Sequence, residues 1–151
     1  MSKVSNTQAP HLAYLKGLIG ARASLNKWTE LTGKALRSNG YQWHASSPLR
    51  SSERILVREL RIGDLVYFHQ RPRAPQHAVI SKVIRNGRYH AVTTVNGKIT
   101  EIRVDLRAPN RRRIKGRIVN SFVRTKAQGD KQIGYLAGEL VREARRPIRT
   151  N

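Results

Sequence analysis

Two Asn-Gly dipeptides, Asn86-Gly87 and Asn96-Gly97, constrain the fold of this chain more than any other feature of its sequence. Asn-Gly favours the positive φ angles that a two-residue β-hairpin turn requires. The dipeptides separate three segments rich in β-branched residues, at 77–84, 88–95 and 98–104. The sequence therefore predicts an antiparallel meander of three strands.

Two further segments have the composition of strands. Residues 65–68 form a short apolar run after a turn-forming Ile-Gly-Asp at 62–64, and residues 118–123 combine branched and aromatic side chains. We expect both segments to lie in the same sheet as the meander.

Apolar residues at helical spacing predict three helices. The first begins at Pro10 and ends near Gly20, and the second carries Trp28 and Leu36 on one face before a glycine stop at Gly40. The third is an amphipathic helix from about residue 131 to 146, which Pro147 ends. Together these elements predict an α+β fold, with N-terminal helices packed on an antiparallel sheet and a C-terminal amphipathic helix. Its predicted organisation is a disordered arm at 1–9, a domain at 10–124, and a helix with a basic tail at 125–151.

The formal net charge is +21, from 30 Lys and Arg residues against 9 Asp and Glu residues. So large a charge disfavours the compact state unless a partner neutralises it, and polyphosphate backbones do so through counterion release. We therefore expect a polyanionic partner, either nucleic acid or an acidic protein surface. No stretch approaches the ~20 apolar residues that span a bilayer, and no apolar N-terminal segment resembles a secretory signal. The expected location is the cytoplasm, or a particle such as a virion that is assembled there.

The positive charge is concentrated in clusters. We call residues 105–117 the connector; arginine is its commonest residue, and no acidic residue follows Asp105 in it. The guanidinium fork suits bidentate phosphate contacts, and without a base-reading motif we expect contacts to the backbone. A short loop at 71–75, Arg-Pro-Arg-Ala-Pro, carries two more arginines next to prolines. The candidate polyanion-binding residues are Arg107, Arg111, Arg112, Arg113, Lys115 and Arg117 in the connector, and Arg142, Arg145 and Arg146 near the C-terminus.

Three short motifs suggest a family. Arg61-Ile-Gly-Asp-Leu-Val-Tyr-Phe, then His77-Ala-Val-Ile, then Ser121-Phe-Val-Arg resemble motifs of the CHAP amidases and the related NlpC-type cell-wall peptidases. The resemblance covers roughly residues 22–124 and implies a papain-like core. It places the family's catalytic cysteine at 25–28, near the start of the second helix, its histidine at His77 and its third polar residue near His90.

The chain contains no cysteine, so the nucleophile that the resemblance implies is missing. A base and an orienting residue without a nucleophile do not perform acyl transfer. We therefore expect His77 and His90 to be vestigial positions, with His77 neutral and hydrogen-bonded at the start of a strand. No pair of histidines has the spacing of a helical metal site, so we expect neither a metal nor another cofactor.

These observations favour a non-catalytic, basic structural or adaptor protein of a large assembly, built on an inactive CHAP-like scaffold. Such an assembly would be a phage particle, its tail or baseplate, or a ribonucleoprotein, and the protein would contact polyanions and other subunits there. One alternative is a cell-wall hydrolase that cleaves peptidoglycan with an unusual nucleophile. Another is a DNA-binding small barrel at 60–110 that resembles the C-terminal domain of integrases.

Overall fold

The computed structural model describes residues 9–44, 48–68, 76–85, 87–128 and 131–150. The helices are α1 (Pro10–Lys16), α2 (Leu25–Ser38) and α3 (Ala137–Leu140), with single 3-10 turns at Pro48–Ser51 and Val57–Glu59. The strands are β1 (Ser52–Ile55), β2 (Leu65–Phe68), β3 (His77–Arg85), β4 (Arg88–Val95), β5 (Lys98–Asp105), β6 (Arg113–Ile114), β7 (Arg117–Ile118), β8 (Phe122–Gln128), β9 (Lys131–Leu136) and β10 (Val141–Pro147). No helix among these residues is long and apolar enough to cross a membrane.

Both predicted N-terminal helices are present, although α1 ends at Lys16, before the predicted end near Gly20. Ser24 caps α2, because its hydroxyl accepts a hydrogen bond from the backbone N–H of Lys27 at 3.1 Å. Gly40 follows the helix with a φ of 84°, a conformation that suits glycine at a helix C-terminus. Residues 1–8 lie outside the described residues. Of the disordered arm predicted at 1–9, the structure therefore describes only Ala9.

Six antiparallel strands form the main sheet, in the order β1-β10-β2-β3-β4-β5. The predicted meander is present as β3, β4 and β5. Asn96 and Gly97 have φ angles of 52° and 78°, as a type I′ hairpin turn requires. Asn86 lies outside the described residues, and Gly87 beside it has a φ of 89°.

The sheet separates two apolar clusters, because successive residues of a strand face opposite sides. Leu65 and Tyr67 of β2 face α1 and α2 and pack with Trp28. Val66 and Phe68 face the other side, where the β8–β9 hairpin and α3 cover the sheet. The α+β class predicted from the sequence is confirmed, with helices and strands packed around both clusters.

The predicted C-terminal helix at 131–146 is wrong. These residues form β9, the single turn α3, and β10, which pairs with β1 on one side and β2 on the other. Leu136 and Leu140 are buried as the helical spacing required, but Leu136 directly precedes the single turn α3 and Leu140 is its last residue. The backbone hydrogen bonds offered by two neighbouring strands outweigh the weak helix propensity of the segment.

The predicted return of residues 118–123 to the main sheet is also wrong. β8 begins at Phe122 and pairs with β9 in a separate two-stranded sheet. The segment before it hydrogen-bonds to β5, where Ser121 N donates to Arg103 O and Arg103 N donates to Ser121 Oγ, both at 2.9 Å. β8 therefore covers one face of the main sheet.

Candidate functional site

The connector starts at a buried carboxylate. Asp105 ends β5 with no exposed surface, and its Oδ1 accepts hydrogen bonds from Arg107 N at 2.8 Å and Ala108 N at 3.0 Å. Its Oδ2 accepts from Arg88 Nε at 2.7 Å. Burial acts to raise the pKa of Asp105, but the hydrogen bonds from Ala108, Arg88 and Arg107 outweigh it and lower the pKa. The connector therefore leaves the sheet in a direction that an ionised side chain fixes.

Asn120 holds the first half of the connector against β5 and α3. Its Oδ1 accepts from Asp105 N and from Gly138 N, both at 2.8 Å. Its Nδ2 donates to Arg111 O at 2.8 Å and to Ala108 O at 3.0 Å. With no exposed surface, this one side chain satisfies backbone groups of β5, the connector and α3.

Gly138 makes room for that network. A Cβ atom at Gly138 would lie 2.5 Å from Asp105 O and 2.6 Å from Asn120 Oδ1, closer than atoms of these kinds approach. The backbone of α3 therefore packs directly against the amide of Asn120. Sequence reasoning missed both residues, and neither belongs to a motif that would have indicated them.

The second half of the connector is a hairpin, which sequence reasoning also missed. β6 and β7 pair Arg113 with Ile118 and Ile114 with Arg117. Lys115 and Gly116 form the turn, with φ angles of 51° and 78°. The Lys-Gly dipeptide between two isoleucines was the available signal, but lysine is uncommon at such a turn.

All six cations predicted in the connector are exposed. None of them forms an ion pair with a carboxylate of the described residues, and the sequence has no acidic residue from 106 to 129. Arg112 lies over the ring of Phe122, with its Cζ 4.1 Å from the ring centroid. The geometry brings together Arg107, Arg111, Arg112, Arg113, Lys115 and Arg117 on one fixed segment.

The C-terminal arginines differ, because Arg145 and Arg146 bind carboxylates within the protein. Arg146 donates to both carboxylate oxygens of Asp64, from Nε at 3.0 Å and from Nη2 at 2.9 Å. Arg145 donates to Glu143 Oε2 at 3.1 Å and to Ser52 O at 3.0 Å. Their guanidinium groups therefore join β10 to neighbouring elements.

Arg142 completes the C-terminal set, and it is exposed on β10. Residues 71–75, the predicted basic loop, lie outside the described residues. The connector is thus the largest basic cluster that the described part of the chain presents.

His77 lies in a closed aromatic environment. Its Nε2 lies 2.8 Å from Thr32 Oγ1, and its ring centroid is 5.5 Å from that of Trp28 and 5.7 Å from that of Tyr67. Burial lowers the pKa of His77 to about 3, so the imidazole is neutral at physiological pH. His77 is 1% exposed and Thr32 0%, so this hydroxyl–imidazole pair is closed to solvent.

Trp28 lies within the segment to which the family resemblance assigns the catalytic cysteine. Its indole stacks on His77, and its Nε1 donates to His77 O at 2.9 Å. Where that cysteine would need space for a substrate, a large apolar ring fills the interface between helix and sheet. The arrangement is that of a packed core.

His90 does not join His77. His90 is half-buried in β4 opposite Arg103 of β5 and Lys82 of β3, whereas His77 lies five residues before Lys82. At about 3.3 Å per residue the two histidines are roughly 15 Å apart along the sheet. Burial chiefly lowers the pKa of His90; the charge of Glu101 acts to raise it, whereas those of Arg103 and Lys82 lower it further. The structure therefore does not place these two residues as a base and its orienting partner.

No group of three or more acidic or histidine side chains among the described residues is arranged to hold a metal ion. Comparison of the chain with protein-family models, with curated proteins and with solved structures gave no match.

Proposed function

We propose that this chain is a non-catalytic, basic structural or adaptor protein of a large assembly, and that it binds polyanions through the connector. The observation that carries the proposal is the fixed backbone of that segment. The side chains of Asp105 and Asn120 hold its first half through hydrogen bonds to backbone groups at 107, 108 and 111, while its six cations face solvent. A flexible basic run would not require such a support.

Nucleic acid is the polyanion that the connector fits best. Five of its six cations are arginines, whose forks bind phosphate oxygens in pairs. Because the backbone is already ordered, binding loses less conformational entropy than it would with a flexible tail. A genome-containing particle or a ribonucleoprotein provides such phosphates next to other protein subunits.

The environment of His77 supports the non-catalytic part of the proposal. A general base needs a pKa near the working pH and access to the proton it removes. His77 has neither, because its pKa is about 3 and its side chain is buried against Trp28. An inactive CHAP-like scaffold would retain this histidine as a core residue.

Binding measured at several salt concentrations tests the proposal. If the six cations each neutralise one phosphate, log K falls against log salt with a slope of about −5, and affinity falls roughly a thousand-fold between about 50 and 200 mM salt. The triple variant Arg111→Ala, Arg112→Ala, Arg113→Ala should halve the slope. Fluorescence anisotropy with labelled DNA and RNA provides the measurement.

The matched control removes three exposed cations from α2, on the opposite side of the sheet: Lys27→Ala, Lys34→Ala, Arg37→Ala. This variant has the same net charge as the connector variant, but we expect its slope to stay within one unit of the wild type. Equal losses in the two variants would show that net charge alone drives binding and would contradict a role for the connector. Release of soluble fragments from purified peptidoglycan would contradict the non-catalytic part.

A further inference from the structure

The β6–β7 hairpin has the dimensions of a probe for a groove. We call residues 112–119 the arginine hairpin; a hydrogen bond from Val119 N to Arg112 O at 2.8 Å closes it. Lys115 at the tip is the third residue after Arg112, so the ribbon is about 10 Å long at about 3.3 Å per residue. Its two strands lie about 5 Å apart, and side chains widen it further.

Cations occupy every side of this ribbon. Arg113 and Ile118 form one cross-strand pair, and Ile114 and Arg117 form the next, so the two arginines project from opposite faces. Lys115 stands at the tip. A ribbon inserted between two phosphate backbones would thus present an arginine to each wall.

The conformation of Lys115 is a separate observation. Among the described residues, Asn96 and Lys115 are the only non-glycine residues with positive φ. Asparagine tolerates this conformation well, whereas an unfavourable φ at a lysine costs stability and is more often found at functional sites. The turn would be less strained with asparagine, so the lysine points to a role for the cation at the tip.

Groove dimensions separate the polyanions. The major groove of B-form DNA is about 12 Å wide and about 8.5 Å deep and admits a two-stranded ribbon. The minor groove, about 6 Å wide, is too narrow, and the major groove of A-form RNA is deep and narrow. A single strand has no groove. We therefore infer that the arginine hairpin inserts into the major groove of duplex DNA, an inference that rests on the proposed function and specifies its ligand.

The first test compares four probes, each about 24 base pairs or nucleotides long and with the same charge on each phosphate. They are duplex DNA, duplex RNA, single-stranded DNA, and duplex DNA with glucosylated hydroxymethylcytosine. The added glucose fills the major groove and leaves the phosphates unchanged. We expect unmodified duplex DNA to bind at least tenfold more tightly than each of the others at about 100 mM salt.

The second test disrupts the hairpin without changing charge. Gly116 and Gly97 both have a φ of 78° and open space around the position of a Cβ atom, so Gly116→Val and Gly97→Val impose the same strain on different turns. Gly116→Val should weaken duplex binding at least tenfold, and Gly97→Val less than twofold. Circular dichroism establishes that each variant is folded.

A third variant should raise the stability of the protein and weaken its binding to DNA. Lys115→Asn creates the Asn-Gly turn already present at residues 96–97, so its thermal midpoint should rise. Loss of one phosphate contact should weaken DNA binding about five- to tenfold at about 100 mM salt.

The outcomes distinguish the two proposals. No salt-dependent binding to any of the four probes would overturn the proposed function and this inference with it. Equal affinity for all four probes, or duplex affinity unchanged by Gly116→Val, would overturn the major-groove inference alone. Preference for duplex RNA or for the single strand would overturn it in the same way.

Discussion

Replacing Asn120 by alanine should destabilise the protein and loosen the connector while leaving every charge in place. The side chain makes four hydrogen bonds of 2.8–3.0 Å to backbone groups: Asp105 N, Gly138 N, Ala108 O and Arg111 O. A buried hydrogen bond contributes about 1 kcal/mol net, and a buried partner left unsatisfied costs about 1–3 kcal/mol. The loss should therefore be about 4 kcal/mol.

Urea denaturation followed by circular dichroism measures this loss. In a thermal denaturation of a chain of this size, a loss of about 4 kcal/mol should lower the midpoint by roughly 10 °C. Asn110→Ala is the matched control, because Asn110 is an exposed asparagine in the same connector. A surface substitution of this kind should change stability by less than about 0.5 kcal/mol.

The binding measurement carries the functional part of the prediction. Asn120→Ala should weaken nucleic-acid affinity because the released connector must be ordered again on binding, while the salt slope stays near that of the wild type. A loss of stability below about 1 kcal/mol would refute the reasoning about the network. Unchanged affinity in a clearly destabilised variant would refute the link between the fixed backbone and binding.

Three further predictions concern the body of the protein. The pKa of His77 is about 3 in the folded protein and near 6.5 in the unfolded chain, so the unfolded chain binds more protons between these values. The free energy of unfolding should therefore fall by about 1.4 kcal/mol for each pH unit below about 6.5. Between pH 7 and pH 5, urea denaturation should show that the wild type loses about 2 kcal/mol more stability than His77→Gln. Gly33→Ala should destabilise by about 1–3 kcal/mol, despite the better helix propensity of alanine, because its Cβ would overlap the Trp43 indole, and an increase in the thermal midpoint would contradict this packing. Arg146→Ala should cost about 3 kcal/mol by leaving the nearly buried Asp64 without its bidentate partner, whereas Arg146→Lys should recover only part of that loss in the same denaturation assay.

Local sequence signals predicted the elements whose conformation depends on neighbouring residues. They did not predict the strands whose conformation depends on pairing with distant parts of the chain. Asn96-Gly97 fixes its hairpin through its own φ angles, and Ser24 with the apolar face around Trp28 fixes α2. Residues 141–147 instead take their conformation from β1 and β2, strands more than seventy residues earlier in the chain. No periodicity within the segment reports partners at that distance.

The same distinction applies to the candidate site. The exposure of the connector cations could be expected from the sequence, because arginines are rarely buried unless they are paired. It could not show that Arg145 and Arg146 would be engaged by Glu143 and Asp64, since those contacts depend on the strand pairing. The supporting role of Asn120 could not be predicted from the sequence either, because it depends on β5, the connector and α3 coming together around its side chain.

The position of β10 between β1 and β2 has a consequence for how the protein is made. β1 and β2 do not pair with each other; each hydrogen-bonds to β10 on its own side. While a ribosome is still synthesising residues 141–147, both earlier strands have unpaired edges, and pairing across so long a loop is slow. Assembly of the sheet is therefore completed only after β10 has left the exit tunnel. A nascent chain stalled before Val141 would expose the unpaired edges of β1 and β2, which can pair with chaperones or with other copies of the chain.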